Sequence, residues 1–288
     1  LEDEMWGEKS WEKAESKIVK QTVNTLISKS GIPSDKIEYC FAGDLLNQCI
    51  SSSFGLRELN VPFYGIFGAC STFVEGMQLA SVFVDGGINY AICCASSHFC
   101  SSERQFRFPL ELGNQRPQSA QWTVTACGSA MLARDGNGPK ITHITTGKIV
   151  DMGIKDTNNM GAAMAPAAFD SLMTHFSDTG RKPSYYDAII TGDLGHIGKD
   201  ILIDLCQNAG YNIRSVYNDC GVLIFDKSTQ DTHSGGSGCG CCASVFSGYL
   251  FEQLKTKKLN KILLIATGAL MNSMSSQQGE YLTGIAQD

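Results

Sequence analysis

Two stretches of this chain recur far apart in the sequence, and the repeat limits the folds that the chain can adopt. The tripeptide Gly-Asp-Leu follows a short apolar run at residues 43–45 and again at 192–194, an offset of 149 residues. A cysteine before a helix-like segment occurs at Cys70 and again at Cys241, an offset of 171, and the apolar runs that follow share this offset. Two matches in the same order predict a duplicated α/β unit with a longer connection in the second copy.

Apolar periodicity predicts that each half alternates helices with strands. The predicted helix after Cys70 is apolar on nearly all sides, which is typical of a helix buried between other layers. We place the boundary between the halves after residue 150, so that they comprise 1–150 and 151–288. The predicted helices are 8–30, 72–84 and 160–176; the predicted strands are 37–42, 88–95, 122–133, 140–149, 186–191 and one that starts near 260; residues 98–121 are predicted to be an irregular insertion.

The composition excludes several classes of protein. Hydrophobic residues make up 43% of the 288 residues, so the chain can bury a sizeable core. The net charge of −6 argues against a general nucleic-acid-binding protein, which needs a basic surface. The best candidate for a membrane span, Ile262–Leu270, has half of the ~18 residues required, so we expect no transmembrane segment. No signal peptide is recognisable, although a sequence that begins at Leu1 leaves a leader open.

Twelve cysteines raise the questions of disulfides and of a metal. The pairs at 93–94 and 241–242 lie in runs of small or apolar residues, where cysteine behaves as a small hydrophobic residue. A chain of this length needs no disulfides to fold, so we predict free thiols in a reducing compartment. Cys239, Cys241, Cys242 and His233 are too tightly spaced for an ordinary tetrahedral zinc site, so we predict close packing there and no metal.

The duplication also predicts where a site would form. Two α/β halves related by a pseudo-twofold axis would pack their buried helices back to back, with both helix N-termini pointing into one shared pocket. Cys70 lies at the start of the first of these helices, where the helix dipole and free N–H groups favour a thiolate. The residue is therefore a candidate nucleophile or a candidate pocket-lining residue.

Two segments resemble a known family. GACSTFVEGMQLAS (68–81) and SSERQFRFPLELGNQRPQSAQWTVTACGSAML (101–132) are similar to the stage V sporulation protein AD family of the thiolase-like superfamily. The resemblance covers nearly the whole chain. It implies a five-layer αβαβα fold with two pseudo-twofold-related halves. It also implies a non-enzymatic role, the binding of dipicolinic acid (pyridine-2,6-dicarboxylate) during its uptake into the developing spore.

The resemblance further implies a location and partners. Members of the family are peripheral proteins of the spore inner membrane and act with other proteins of the same sporulation operon. Superfamily members commonly dimerise through the first half, so a homodimer is a further expectation. Neither a nucleic acid nor a resident cofactor is implied.

The residues around Cys70 depart from those of superfamily enzymes. Such enzymes place a histidine after the equivalent second-half strand, or a histidine or asparagine in the turn before the second buried helix. Here Asp193 and Cys239 hold these two positions, and His196 follows three residues later. A carboxylate beside a thiolate makes both charges costlier and cannot donate to an oxyanion. We therefore predict no catalytic residue, with a condensing enzyme or thiolase-type acyltransferase using Cys70 as the alternative.

A dipicolinate site needs donors for two carboxylates and an apolar slot for the ring. The two helix N-termini, together with Arg107 and Arg116 if the insertion folds over the pocket mouth, would bind carboxylates. Trp122 would cover the ring face, although it suits a core position equally well. Asp193 facing the pocket suits a dianion only if the ligand arrives with Ca²⁺ or if Asp193 hydrogen-bonds His196. A third hypothesis is a scaffold subunit whose pocket is vestigial.

Overall fold

A computed structural model of the chain describes residues 3–106 and 115–288, which form helices and strands in regular alternation. The helices are α1 (Trp11–Ser30), α2 (Ile50–Leu56), α3 (Thr72–Asp85), α4 (Phe99–Phe106), α5 (Met160–Thr179), α6 (Gly195–Asn208), α7 (Cys220–Leu223), α8 (Cys239–Val245), α9 (Phe251–Lys255) and α10 (Ser273–Gln277). The strands are β1 (Tyr39–Gly43), β2 (Phe63–Gly65), β3 (Tyr90–Ser97), β4 (Trp122–Thr123), β5 (Ala126–Ala133), β6 (Ala188–Thr191), β7 (Tyr217–Asp219), β8 (Gly236–Ser237), β9 (Ile262–Leu270) and β10 (Thr283–Gln287).

Two four-stranded sheets repeat one topology. The first has the order β2-β1-β3-β5 and the second the order β7-β6-β9-β10, and in each sheet only the last strand is antiparallel to its neighbour. The register repeats as well, because Tyr39 pairs with Ala91 and Ala188 pairs with Ile262. These pairs are separated by the offsets of 149 and 171 residues, so the predicted duplication is confirmed at the level of strand pairing.

The sheets and helices stack in five layers. Helices α1 and α2 cover the outer face of the first sheet, and α5 with α6 covers the outer face of the second. Helices α3 and α8 lie between the sheets, where Phe73 of α3 is fully buried and its ring centroid lies 5.6 Å from that of Phe246. This is the predicted αβαβα architecture, with the helix after Cys70 at its centre.

Local signals set the ends of several helices. The Ser10 hydroxyl caps α1 by accepting from the backbone N–H of Lys13, and Gly31 ends the helix in a left-handed conformation with φ of 69°. In the second half, α8 passes into α9 through a π turn, Phe246–Leu250, which takes up an extra residue within one helical rod.

Three predicted segments differ from the structure. The strand predicted over 122–133 is divided into β4 and β5, which belong to different sheets. The insertion 98–121 begins with a regular helix, α4, because Phe99 N–H is held by the Thr125 hydroxyl and Ser101 and Glu103 are buried. Residues 140–149 form no strand; the extended segment contacts β10 at the Val150–Gly284 bridge and through the Gly147 N–H, which donates to the Gln287 side chain, and Thr145 pairs with Asp288 beyond the strand. The proposed boundary after residue 150 stays a prediction.

Two further predictions concern the cysteines and membrane spans. All twelve cysteines are free thiols, as predicted. Within residues 3–106 and 115–288, no helix combines the length and the apolar character that crossing a bilayer requires.

Candidate functional site

Cys70 lies in a tight turn at the start of α3 and is only 6% exposed. Ala69, immediately before it, has a φ of 51°, a conformation that residues other than glycine rarely adopt. The turn is tied by hydroxyl groups, since Ser71 donates to the carbonyl of Gly68 and Thr72 donates to that of Ala69. These hydrogen bonds fix the direction of the Cys70 side chain.

The start of the second buried helix meets this turn. Gly238, with φ of 106°, leads into α8, and the Cys239 thiol donates to the Ala69 carbonyl over 2.9 Å. A side chain at Gly238 would crowd the Ser97 hydroxyl. The cysteine that contacts the Cys70 turn is therefore Cys239 rather than Cys241. The π turn adds a residue between the start of the second helix and the strand that follows it. The strand offset of 171 therefore does not hold at the helix start, which explains part of this difference.

Asp193 is buried beside Cys70 with both carboxylate oxygens engaged. Its Oδ2 accepts from the Ser237 hydroxyl at 2.8 Å and from the Gly238 N–H at 3.0 Å, and its Oδ1 accepts from the Thr267 hydroxyl at 2.9 Å. The Cys70 Sγ lies 3.7 Å from the Ser237 Oγ. Cys70, Ser237 and Asp193 thus form one polar row across the contact between the two halves.

Burial and this carboxylate make Cys70 a neutral thiol. Burial raises the pKa of Cys70 well above its ordinary value, and the charges of Asp193 and Cys239 raise it further. Burial also raises the pKa of Asp193, although hydrogen bonds from Cys70, Gly238 and Ser237 oppose the rise. The thiolate expected from the helix position is therefore not favoured, because loss of solvent outweighs the helix dipole.

His196 lies away from this row. It is half-buried near the start of α6, and its backbone N–H donates to the Ser234 carbonyl at 2.7 Å. Burial, followed by Lys227 and Lys199, lowers the pKa of its imidazole. Over the described residues, no hydrogen bond joins the His196 ring to Asp193 or to Cys70, so the hypothesis of an Asp193–His196 hydrogen bond is not supported.

Arg116 and Trp122 form a separate cluster. The Arg116 guanidinium pairs with the buried Glu103 carboxylate at 2.7 Å and lies 4.4 Å from the centroid of the Trp122 ring, which stacks on Phe99. The charge of Arg116 is thus balanced inside the protein, and the half-buried Trp122 ring is covered by Arg116 and Phe99. Arg107, the other predicted arginine, lies outside the described residues.

The cysteines that raised the question of a metal have separate partners. Cys239 donates to Ala69, Cys241 donates to the Gly192 carbonyl at 3.6 Å, and the His233 ring contacts the Pro117 carbonyl at 3.0 Å. Across the part of the chain that the structure describes, no three His, Cys, Asp or Glu side chains are arranged to hold a metal ion.

Sequence reasoning missed three residues of the site. Ser237 and Thr267 donate to Asp193, and the Gln121 amide donates to the carbonyls of Asp193 and Gly236 at 2.7 and 2.8 Å. A usable signal existed for Thr267, which is a polar residue in an otherwise apolar strand. No comparable signal marked Ser237 or Gln121, because their partners are far away in the sequence.

Open pockets occur elsewhere on the surface. Two pockets of about 440 and 420 Å³ lie on either side of Leu56 and Leu59, next to α2. Neither is lined by Cys70, Asp193 or Cys239. The groups of the candidate site themselves are buried, and Cys70 retains a small exposed surface of 6%.

Comparisons with known proteins agree with this architecture. A family model described as stage V sporulation protein AD matches residues 1–288. Stage V sporulation protein AD of Bacillus subtilis (strain 168) is 42% identical over 286 residues, which cover 99% of this chain and 84% of that protein. The fold resembles 3-oxoacyl-[acyl-carrier-protein] synthase III from Aquifex aeolicus VF5, with 12% identity, a TM-score of 0.58 and coverage of 93% of this chain and 82% of that one. It also resembles a variant of OleA from Xanthomonas campestris, with 15% identity, a TM-score of 0.61 and coverage of 94% and 80%.

Proposed function

Because the chain belongs to the stage V sporulation protein AD family, we propose that it is a non-catalytic protein that binds dipicolinic acid for uptake into the developing spore. The observation that carries the proposal is the polar row of Cys70, Ser237 and Asp193. The fold resembles that of condensing enzymes, and a cysteine lies at the start of the buried helix. Within the described residues, no imidazole is hydrogen-bonded to this cysteine.

The chemistry of the row argues against acyl transfer. A cysteine nucleophile needs a thiolate and a group that accepts its proton. Burial keeps Cys70 protonated, and both oxygens of Asp193 already accept hydrogen bonds from Ser237, Gly238 and Thr267. An ionised Asp193 would also repel the oxyanion that forms during acyl transfer. A ligand that undergoes no reaction needs neither a thiolate nor a proton acceptor, and chelation of its carboxylates by Ca²⁺ would offset their repulsion by an ionised Asp193.

Arg107 is our candidate for the cation that binds a ligand carboxylate. Arg116 is paired with Glu103, so its charge is already balanced. Phe106, the residue before Arg107, packs against the apolar cluster that includes Cys70. Arg107 follows Phe106 in the sequence, and a guanidinium would recognise a ligand carboxylate through two parallel hydrogen bonds. The N-terminus of α3 would favour the same charge.

Calcium belongs to this proposal only as a companion of the ligand. Asp193 is not suited to hold Ca²⁺ directly, because its oxygens accept three hydrogen bonds and oxygen ligands for a hard cation must be free. We propose that Ca²⁺, if it takes part, reaches the protein already chelated by dipicolinate.

Calorimetry tests the proposal directly. Dipicolinate is titrated into the wild type, Arg107→Gln and the surface control Arg214→Gln, with and without Ca²⁺. We expect binding by the wild type and the control, and at least a roughly tenfold loss for Arg107→Gln, since a hydrogen bond to a charged group contributes about 1.5–3 kcal/mol. Absence of binding by the wild type under both conditions would remove the proposal.

One observation favours the alternative enzyme. A cysteine remains at the start of the buried helix in the fold shared with condensing enzymes. An acyltransferase would form a thioester on Cys70, which the mass of the intact protein would report after incubation with acyl-CoA. We expect no acyl adduct; an adduct that disappears in Cys70→Ala would establish the enzyme instead.

We also propose that the protein is peripheral to the spore inner membrane, acts with other proteins of its operon and forms a homodimer through the first half. The edge strand β2 supports the dimer, because Phe63, Tyr64 and Gly65 are all exposed there and exposed edge strands tend to pair. Light scattering tests this, with Tyr64→Glu expected to give a monomer. Operon partners that bind equally well with and without dipicolinate would favour the scaffold hypothesis.

A further inference from the structure

Three parallel strands of the second sheet begin at the same edge of that sheet. Strand β6 pairs in parallel with both β7 and β9, so the residues that precede all three strands lie side by side. Basic side chains are concentrated in these segments, residues 178–187, 211–216 and 252–261, which we call the basic edge. Its seven basic residues are Arg181, Lys182, Arg214, Lys255, Lys257, Lys258 and Lys261.

The basic edge is exposed and poorly neutralised. All of its basic residues except the half-buried Arg181 are exposed, and its three acidic residues are Asp178, Asp187 and Glu252. Asp187 is engaged by the backbone N–H groups of Asn260 and Lys261, and Glu252 pairs with Lys255 at 3.4 Å. An excess of positive charge therefore faces solvent in a chain whose net charge is −6.

An aromatic ring is fixed within the basic edge. Tyr185 is 40% exposed, with the Lys261 ammonium 4.3 Å and the Arg181 guanidinium 4.5 Å from its ring centroid. An amphipathic ring between two cations matches the chemistry of a lipid headgroup layer, where tyrosine and basic side chains are favoured together.

The fold does not impose this charge. The equivalent segments of the first half are 29–38 and 81–90, at the offsets of 149 and 171, and 57–62, which precedes β2 as 211–216 precedes β7. They contain three basic residues and four acidic residues, although they precede strands with the same order and direction. The basic residues are Lys29, Lys36 and Arg57, and the acidic residues are Asp35, Glu38, Glu58 and Asp85. The charge is thus a property of this sequence and of one half only.

We propose that the basic edge is the surface through which the protein lies against an anionic lipid bilayer. The inference rests on the proposed peripheral membrane location. Basic residues close to an anionic bilayer are attracted to it, and the attraction falls off within a Debye length. Asp193 follows β6 at the opposite edge of the sheet, so a protein bound in this way keeps the candidate site directed away from the bilayer.

Vesicle binding of the full chain tests the proposal. The probes are phosphatidylcholine vesicles and phosphatidylcholine vesicles that contain about 30% phosphatidylglycerol. The edge variant is Lys257→Gln/Lys258→Gln/Lys261→Gln, and the matched control is Lys29→Gln/Lys36→Gln/Arg57→Gln, which has the same net charge. We expect salt-sensitive binding of the wild type and the control to the anionic vesicles only, and a roughly hundredfold weaker partition of the edge variant.

Three results would overturn the proposal: equal binding of the edge variant and the wild type, equal loss in both triple variants, or capture of an acidic protein by this edge without vesicle binding. Dipicolinate calorimetry on the edge variant separates this proposal from the proposed function. If the edge variant loses vesicle binding but binds dipicolinate with unchanged heats, the result supports the basic edge. If the wild type gives no binding heat with dipicolinate, the proposed function fails while the vesicle result still stands.

Discussion

The two Gly-Asp-Leu corners have the same position in the repeat, yet their buried carboxylates serve different neighbours. Asp44 accepts from the backbone and hydroxyl of Ser52 and from the backbone of Leu46, so it is committed to the outer helix α2. Asp193 instead accepts from groups at the start of α8 and from β9, next to Cys70. Duplication preserved the corner, while the side chains around it determined which layer the carboxylate stabilises.

A second difference lies one strand away. Thr267 of β9 and Ser96 of β3 are equivalent under the offset of 171, but Thr267 donates to Asp193 and Ser96 donates to Glu15 at 2.7 Å. Glu15, on α1, supplies an additional buried carboxyl group in the first half. The first half therefore holds two carboxyl groups, Asp44 and Glu15, next to its outer helices. In the second half, the Asp193 carboxylate lies beside Cys70 instead.

Replacing each corner aspartate by alanine should have the largest effect. Each of Asp193→Ala and Asp44→Ala leaves three buried donors without an acceptor, so we expect the free energy of unfolding to fall by about 4 kcal/mol in either variant. Urea unfolding measures this loss. A large loss in only one variant would mean that the two corners are not equivalent structural elements.

Replacing the glycine of each corner by alanine should lower the free energy of unfolding by different amounts in the two halves. A Cβ on Gly43 would overlap the Ile66 carbonyl oxygen, whereas a Cβ on Gly192 would lie 3.0 Å from the Ala266 Cα. We expect a destabilisation of about 3 kcal/mol for Gly43→Ala and about 1 kcal/mol for Gly192→Ala, because overpacking against backbone cannot relax. Thermal unfolding of the two variants provides the comparison, and equal losses would contradict the difference in packing.

Glu15, the additional carboxyl group of the first half, should affect how the free energy of unfolding depends on pH. Burial, with a smaller contribution from Asp44, raises the pKa of Glu15 from 4.5 to about 7. Since the folded protein binds this proton more tightly than the unfolded chain, the free energy of unfolding falls as the pH rises from about 4.5 to about 7. The fall in the free energy of unfolding between pH 5 and pH 8 should be about 2 kcal/mol smaller in Glu15→Gln than in the wild type.

Urea unfolding across this pH range measures the slope, with the exposed Asp135→Asn as the control. An unchanged slope in Glu15→Gln would show that the proton is held elsewhere. Asp219 of the second half, whose pKa burial also raises to about 7, should contribute to the slope that remains, together with Asp44 and Asp193, whose pKa values burial also raises.

The smallest effect should be on thiol reactivity. Burial raises the pKa of Cys70 most and Asp193 raises it further, so Asp193→Asn should lower that pKa and increase the alkylation of Cys70 by iodoacetamide a few-fold near neutral pH. Asp44→Asn is the matched variant, since burial raises the pKa of Cys239 and Asp44 adds to that rise. Peptide mass spectrometry reads each site separately. An equal change at Cys70 in both variants would contradict the specific pairing of Cys70 with Asp193.

Much of the fold was predictable because its signals are local or periodic. The Gly-Asp-Leu corners and the cysteine-bearing segments gave the two offsets, and the pairs Tyr39–Ala91 and Ala188–Ile262 reproduce them. The apolar character of α3 predicted its place between the sheets. The helix α4 was missed, because an amphipathic helix of eight residues within a polar segment gives a weak periodic signal.

Much less of the site was predictable. The sequence identified Cys70, Asp193 and Cys239 as neighbours at the two helix starts, but it placed His196 and Arg116 with them. The structure pairs Arg116 with Glu103 and leaves the His196 ring without a hydrogen bond to Cys70 or Asp193. The place of the His196 ring depends on the direction of the first turn of α6. The pairing of Arg116 depends on a partner 13 residues away. A residue pattern encodes neither of them.

The sequence by itself determined the duplicated α/β plan, the buried central helices and the cysteine at the first helix start, because apolar periodicity and turn residues act over a few neighbours. Only the tertiary structure decided that Cys70 is a neutral thiol, that Asp193 is engaged by Ser237 and Thr267, and that basic residues from three separate segments share one edge. Burial and contacts between residues far apart in the chain set these properties, and both exist only once the five layers have packed.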